Sequence, residues 1–305
     1  MKKLLILGGS GFIGNSIAEY GIDKNLIKHK INKIYVLSRS EKRNTNKKKH
    51  IEIEYINKNI LNLKKIPQVD YIIYSIKHHD IKTSNNYFNQ FFKLLETLNK
   101  KPKILFTSSG AVYGKNDNKK KDTEDKTINL NSISKLSGYK KRYALEKIFI
   151  EQKFIELGLK NYQVSIARCY TFIGKNIIKQ GFAISDLIND ALKNKLIKLK
   201  STNNVYRSYM HSNDLVEWLI KILKKTNKQC PIYNVGSDRV INLKDLTRLI
   251  SKLSNKKYKI NKISSNDWDY YVPSTAKAYK ELNLKISINL NDALNSIIKR
   301  PNDKN

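Results

Sequence analysis

The chain has 305 residues, enough to bury a large core, and its 40% hydrophobic and 10% aromatic content excludes disorder of the whole. A formal charge of +33 suggests nucleic acid at first sight. The lysines, however, are spread among asparagines and isoleucines, as an AT-rich coding sequence would produce, so a solvated basic surface is expected and no nucleic-acid partner.

No apolar run reaches the roughly 18 residues that span a bilayer, so no membrane partner is expected. The opening Met1 to Leu7 imitates a signal peptide, but its apolar stretch stops at Gly8-Gly9 and reads as a first strand. Further strand candidates are Ile34–Leu37, Ile51–Ile56, Tyr71–Ile76, Ile104–Thr107 and Gln163–Ala167, near-continuous apolar runs that suit strands covered on both faces. Helical periodicity falls between them, at Tyr87–Leu98 and along one long helix from Ser134 to Leu157 closed by Gly158. The segment Lys115–Lys126 reads as a flexible polar loop. Amphipathic helices follow at Phe182–Leu192, Asp214–Leu223, Leu243–Leu253 and Asn291–Ile298, with a short strand at Ile232–Val235. This order predicts an α/β fold, a doubly wound parallel Rossmann sheet over residues 1–170 with a smaller C-terminal substrate lobe over 171–305, some of whose segments return to the first part.

Chemistry concentrates in three places. Gly8-Gly9-Ser10-Gly11-Phe12-Ile13-Gly14 directly follows a strand and opens a helix, the context in which glycine spacing signals a dinucleotide. The glycines allow a tight turn, close approach to the pyrophosphate and helix packing on the strand. After the second strand an acid for the ribose hydroxyls is missing; Ser38 and Arg39 stand there with Arg43 behind, a guanidinium suited to a 2′-phosphate, so NADP is expected over NAD. Finally, Ser109 follows the strand at Ile104, and Tyr143 and Lys147 share a helix face at i,i+4. The nearby ammonium is expected to lower the Tyr143 pKa so that the phenol trades a proton with a carbinol or ketone, while Ser109 bonds the same oxygen.

These three motifs, in this order, resemble the extended short-chain dehydrogenase family of the NAD-dependent epimerase/dehydratase type, which includes nucleotide-sugar epimerases, dehydratases and 4-ketoreductases. The resemblance continues through Arg168 to Gly174, Arg207 to Leu215, Tyr233 to Ser237 and Thr275 to Ala278. It implies that Ser109, Tyr143 and Lys147 are catalytic, that Gly8, Gly11, Phe12, Ile13, Gly14, Ser38, Arg39, Tyr143 and Lys147 border the cofactor, and that Ser109, Thr171 and Arg207 contact a nucleotide sugar. Arg207 would take the diphosphate. A homodimer through the long helix is implied as well.

Three departures from the family pattern stand out. Thr171 replaces a usual asparagine, and Ile76 and Lys77 replace small residues beside the cofactor. Gly110 and Ala111 replace the Asp-Glu pair of the sugar 4,6-dehydratases, so dehydration by that route is not expected. Ser108 to Ala111, Phe182 to Ile184 and Arg207 to Tyr209 most resemble reductase or epimerase members that supply surface-polysaccharide precursors.

The expected activity is therefore reduction of a nucleotide-activated 4-keto-6-deoxy sugar. A 4-epimerase that retains NAD is the alternative, and a non-catalytic NADP-binding regulator a more distant one. Two cysteines, Cys169 and Cys230, lack the spacing of a disulfide framework or a zinc site, and His78-His79-Asp80 reads as loop, so a reducing cytoplasm and no metal are expected. His211 is expected to play a structural part, and Trp218 to be core.

Overall fold

Leu4, Leu5, Ile6 and Leu7 are all fully buried, because alternate side chains of a strand enter different cores. Leu4 and Ile6 pack with Ile17, Trp218 and Leu219 on one side of the sheet. Leu5 and Leu7 pack with Phe91, Phe106 and Phe154 on the other. The structure, a computed structural model, describes residues 1–23, 25–39, 47–48, 51–78, 80–177, 181–262 and 268–299.

The first part of the chain forms β1 (Lys2–Leu7), α1 (Phe12–Ile22), β2 (Ile31–Ser38), β3 (Lys47–Lys48), β4 (Ile51–Asn57), β5 (Tyr71–Tyr74), α2 (Ile81–Glu96), β6 (Lys103–Ser109), α3 (Leu130–Ser134), α4 (Gly138–Leu159) and β7 (Gln163–Cys169). There follow β8 (Phe172–Ile173), α5 (Ala183–Lys193), β9 (Leu196–Leu199), β10 (Asn204–Arg207), β11 (Met210–His211), α6 (Ser212–Lys224) and β12 (Ile232–Val235). The chain closes with β13 (Ile241–Asn242), α7 (Leu243–Ser254), β14 (Lys257–Ile260), β15 (Trp268–Tyr271), α8 (Ala276–Leu282) and α9 (Leu290–Ile298).

The main sheet has the order β12-β7-β6-β5-β1-β2-β4-β3, parallel throughout except at the short β3 edge. The chain starts in the middle, builds outward through β2 and β4, then crosses to β5 and builds the other half. This reversal between β1 and β5 opens the crevice at the strands' carboxyl ends where doubly wound sheets take ligands. Helices α5, α7 and α9 enclose a separate core of Ile184, Leu187, Ile197, Leu246, Ile250 and Leu294. Beside it lie small sheets ordered β13-β10-β15 and β14-β9.

Three expectations need correction. The long helix starts later than expected, at Gly138, with Ser134 closing the separate α3, because Ser137 is extended and Gly138 has φ +46°, a conformation that favours glycine. Gly158 does not end α4: a Cβ there would lie 2.3 Å from the Lys228 carbonyl oxygen, so its role is close packing. The segment Lys115–Lys126 is anchored, since buried Asp122 accepts hydrogen bonds from Lys126, Asn116 and Tyr170 and its backbone pairs with Val272 and Ser274.

Beneath the crevice Arg168 of β7 and Glu151 of α4 form a buried ion pair, with Nη2–Oε2 2.7 Å and Nε–Oε1 3.0 Å. Ser108 of β6 donates to the same carboxylate at 2.6 Å. Arg168 also donates to the Tyr113 hydroxyl, which in turn donates to Asn234 of β12, each at 2.9 Å. Removing one partner of such a pair leaves an uncompensated buried charge, so Glu151→Ala should lose about 3–5 kcal/mol of folding stability by chemical denaturation. A loss below 1 kcal/mol would show that the pair is dispensable.

Candidate active site

The glycine turn is shaped by steric demand. Gly8 has φ +94°, and a Cβ on it would lie 2.5 Å from the Ser75 carbonyl oxygen at the end of β5. At Gly14 an added Cβ would come within 2.6 Å of the Gly9 Cα. The turn is tied to β2 by Gly8 and Gly9 N–H groups that both donate to the Leu37 carbonyl. Gly11 is the N-cap of α1 and offers no side chain to it. The Phe12 ring stacks on Phe172 at 6.0 Å and Ile13 packs against the core, leaving the opening N–H groups of α1 for an anion. Ser38 is buried at the end of β2 and Arg39 is exposed immediately after it. Arg43 and His79 lie outside the described residues. The turn fits a dinucleotide pyrophosphate because side chains at Gly8 or Gly14 would collide with the backbone of Ser75 and Gly9 and force it open, while the first N–H groups of α1 carry no side-chain cap.

The structure brings Ser109, Tyr143 and Lys147 together at the carboxyl end of β6. Ser109 Oγ accepts the Ala111 N–H at 3.2 Å and lies 3.1 Å from the Tyr271 hydroxyl. Lys147 is buried, its Nζ 5.7 Å from the Tyr143 ring centroid and 3.7 Å from Glu146 Oε2. Ser84 of α2 donates to the other Glu146 oxygen at 2.8 Å. From the end of β5, Lys77 places a second ammonium 5.0 Å from the Tyr143 ring and 5.2 Å from Tyr139, two rings that stack at 5.8 Å.

The expected lowering of the Tyr143 pKa is not found. Burial, reinforced by neighbouring Tyr271, pushes this phenol well above the ordinary tyrosine range, and hydrogen bonding with Ser109 only partly opposes it. Burial likewise lowers Lys147, with Glu146 acting in the opposite sense. The ammonium beside Tyr143 is thus itself desolvated and engaged by a carboxylate, which blunts its pull on the phenol.

The Thr171 hydroxyl donates to the Ser208 carbonyl, joining the two segments expected to hold substrate. The Arg207 guanidinium meets Asp269 of β15, Nη2–Oδ2 2.7 Å, and Lys140 Nζ approaches the same oxygen at 3.0 Å. Two residues along the same strand, Tyr271 donates to the Cys169 carbonyl at 3.3 Å and packs on Tyr170 with ring centroids 4.5 Å apart. Sequence reasoning passed over Asp269, Tyr271 and Lys140; the only signal was the short aromatic run at Trp268-Asp269-Tyr270-Tyr271. Gly110 is filled by its neighbour, since a Cβ there would lie 2.4 Å from Cζ of Tyr170. His211 Nδ1 caps α6 by accepting the Asn213 N–H at 3.2 Å, and Trp218 is core. Among the described residues no group of three or more His, Cys, Asp or Glu is placed to hold a metal ion, and no described helix is long and apolar enough to cross a membrane.

A crevice at the topological switch, a glycine cradle and a Ser-Tyr-Lys constellation define a dinucleotide-dependent oxidoreductase fold. The model of the NAD dependent epimerase/dehydratase family matches residues 4–236, and the chain belongs to that family of enzymes. It is 27% identical over 279 residues to the dTDP-D-glucose 4,6-dehydratase of Dictyostelium discoideum, covering 83% of this chain and 62% of that relative's length. The solved structure of MoeE5 in complex with UDP-glucose and NAD superposes with a TM-score of 0.75 at 16% identity, over 97% of each chain. That of RMD from Pseudomonas aeruginosa complexed with NADPH superposes with a TM-score of 0.71 at 16% identity, over 98% of each chain.

Burial makes a direct prediction for the phenol. In protein without added cofactor, the 13Cζ resonance of Tyr143, assigned by its loss in Tyr143→Phe, should stay in the protonated position to at least about pH 10, where ordinary tyrosines titrate. A midpoint below that value would mean that Lys77 and Lys147 outweigh burial.

Proposed function

We propose that this enzyme is an NADP-dependent reductase of a nucleotide-activated 4-keto-6-deoxy sugar. The observation that carries the reading is the end of β2. Ser38 and Arg39 stand beside the glycine turn where an acid would bind an unphosphorylated ribose, and a guanidinium there suits a 2′-phosphate. NADPH commonly serves biosynthetic reduction.

When bound, the reduced dinucleotide supplies a hydride for the keto carbon. In this scheme Tyr143 gives its proton to the carbonyl oxygen, while Ser109 Oγ hydrogen-bonds that oxygen and orients it. Burial keeps the Tyr143 phenol protonated, so a proton is present to give, but it also weakens the phenol as an acid, and the scheme therefore requires bound ligand to favour the phenolate. Lys147 and Lys77 then stabilise the phenolate left behind. Tyr170 under Gly110 supports the absence of dehydration, since the carboxylate of a 4,6-dehydratase would need the space its ring fills. Relatives and solved neighbours that act on or bind nucleotide sugars support the substrate class.

Two measurements test the proposal. Mixed with a 4-keto-6-deoxy sugar nucleotide, the enzyme should consume NADPH stoichiometrically; interconversion of 4-hydroxy epimers with catalytic NAD and no loss of NADPH sinks the reductase and leaves an epimerase. Arg39→Asp should weaken NADPH by about 1.5–3 kcal/mol, the worth of a charge-assisted hydrogen bond, and spare NADH. Equal affinity for both cofactors before and after the change would reduce Arg39 to surface charge.

A further inference from the structure

Lys147 is an ammonium taken out of water, and such a charge needs a counter-ion. Two carboxylates, a thiol and a second ammonium face it: Glu146 and Glu151 of α4, Cys169 at the end of β7, and Lys77 after β5. Glu151 is already committed to Arg168 and Ser108. Burial pushes the Cys169 thiol up to about 12, so it has no charge to offer, and Lys77 repels. Glu146 remains. It is itself buried, and its Oε2 lies 3.7 Å from Lys147 Nζ and takes no hydrogen bond among the described residues. Its Oε1 is fixed by the Ser84 hydroxyl of α2 at 2.8 Å. Glu146 also faces the phenols of Tyr74 in β5 and of Tyr143, and burial holds both neutral. Ser109, Tyr271 and Tyr139 complete the surroundings of Tyr143.

We propose that Glu146 is a positioning residue for the proton transfer: as the resting counter-ion of Lys147 it keeps the proton on Tyr143 until ligand is bound. The inference rests on Tyr143 as the acid of the proposed reduction. At rest Glu146 carries a negative charge, Lys147 and Lys77 carry positive ones, and Tyr143 is neutral. The excess positive charge therefore falls on exposed Lys77, where water screens it. When the phenol gives its proton to the carbonyl oxygen, the phenolate becomes the second anion and the four groups balance. With a neutral side chain at position 146, the site would hold an uncompensated buried ammonium before any ligand arrives. The coupled pair of Tyr143 and Lys147 would then shed a proton early, from one member or the other, and the acid that reduction needs would be lost.

Titration of the full chain without cofactor tests this, read at 13Cζ of Tyr143 and 13Cε of Lys147. Glu146→Gln keeps an oxygen for Ser84 but removes the charge, and the first deprotonation of the pair should begin about one to three pH units lower than in the native protein. Glu146→Asp, which keeps the charge, should restore most of the difference. An unchanged midpoint in Glu146→Gln, or an Asp variant that titrates like the Gln variant, overturns the inference; a merely structural carboxylate would alter thermal stability and leave the midpoint in place. If Glu146→Gln fails to fold, the 13Cδ resonance of Glu146 in the native protein, assigned through Glu146→Asp, decides: an ionised carboxylate at neutral pH supports the counter-ion and a protonated one overturns it. With a 4-keto sugar nucleotide as substrate, the alkaline fall in kcat should move with the NMR midpoint. The expected NMR shifts without turnover of any such substrate keep the counter-ion and remove the reductase.

Discussion

The buried pair of Arg168 and Glu151 is the constraint on which the site depends. Glu151 lies one helical turn beyond Lys147 and two beyond Tyr143, so the stripe of α4 that enters the sheet at Glu151 also carries the other two to the crevice. Locking that carboxylate to β7 through Arg168, and to β6 through Ser108, sets the rotation of the helix beside Ser109. A buried ion pair is favourable only when its remaining donors and acceptors are met. Here Tyr113 takes the spare guanidinium N–H and passes the chain of bonds to Asn234, so β12 is joined to the same device.

Much of this fold was legible because its signals are local. Continuous apolar strands imply two covered faces, and Gly8, Gly11 and Gly14 after a strand imply a cradle whatever the rest of the chain does. The Ser109, Tyr143 and Lys147 set was legible for the same reason, being a strand end and one helix face. What escaped depends on distant contacts. Glu151 and Arg168 look like ordinary surface charges in a chain this basic, and only the packing of α4 on β7 buries them. The late start of α4 at Gly138 was hidden because the residues from Ser134 onward are compatible with helix. Asp269 and Tyr271 sit on a four-residue strand whose partner, β10, lies far earlier in the chain.

The chemistry of Tyr143 shows why a motif does not by itself set a pKa. A sequence shows the lysine four residues on, but not the medium between lysine and phenol. In a buried site the loss of solvation acts on both groups, raising one and lowering the other. Lys147 retains a carboxylate neighbour in Glu146, whereas Lys77 is exposed and its field is screened by water. The phenol thus rests neutral between two ammoniums, and its proton becomes easy to lose only when a bound ligand changes that balance.

The position of β12 bears on how the protein is made. This strand completes the sheet beside β7 but leaves the ribosome well after it, following α6, whose Trp218 and Leu219 cover the face that Leu4 and Ile6 present. A nascent chain that has emerged only through β7 carries an open strand edge and an uncovered apolar face, the two features that promote wrong pairing between chains. A fragment ending between β7 and β12 would therefore expose both features at once and is expected to be prone to aggregation.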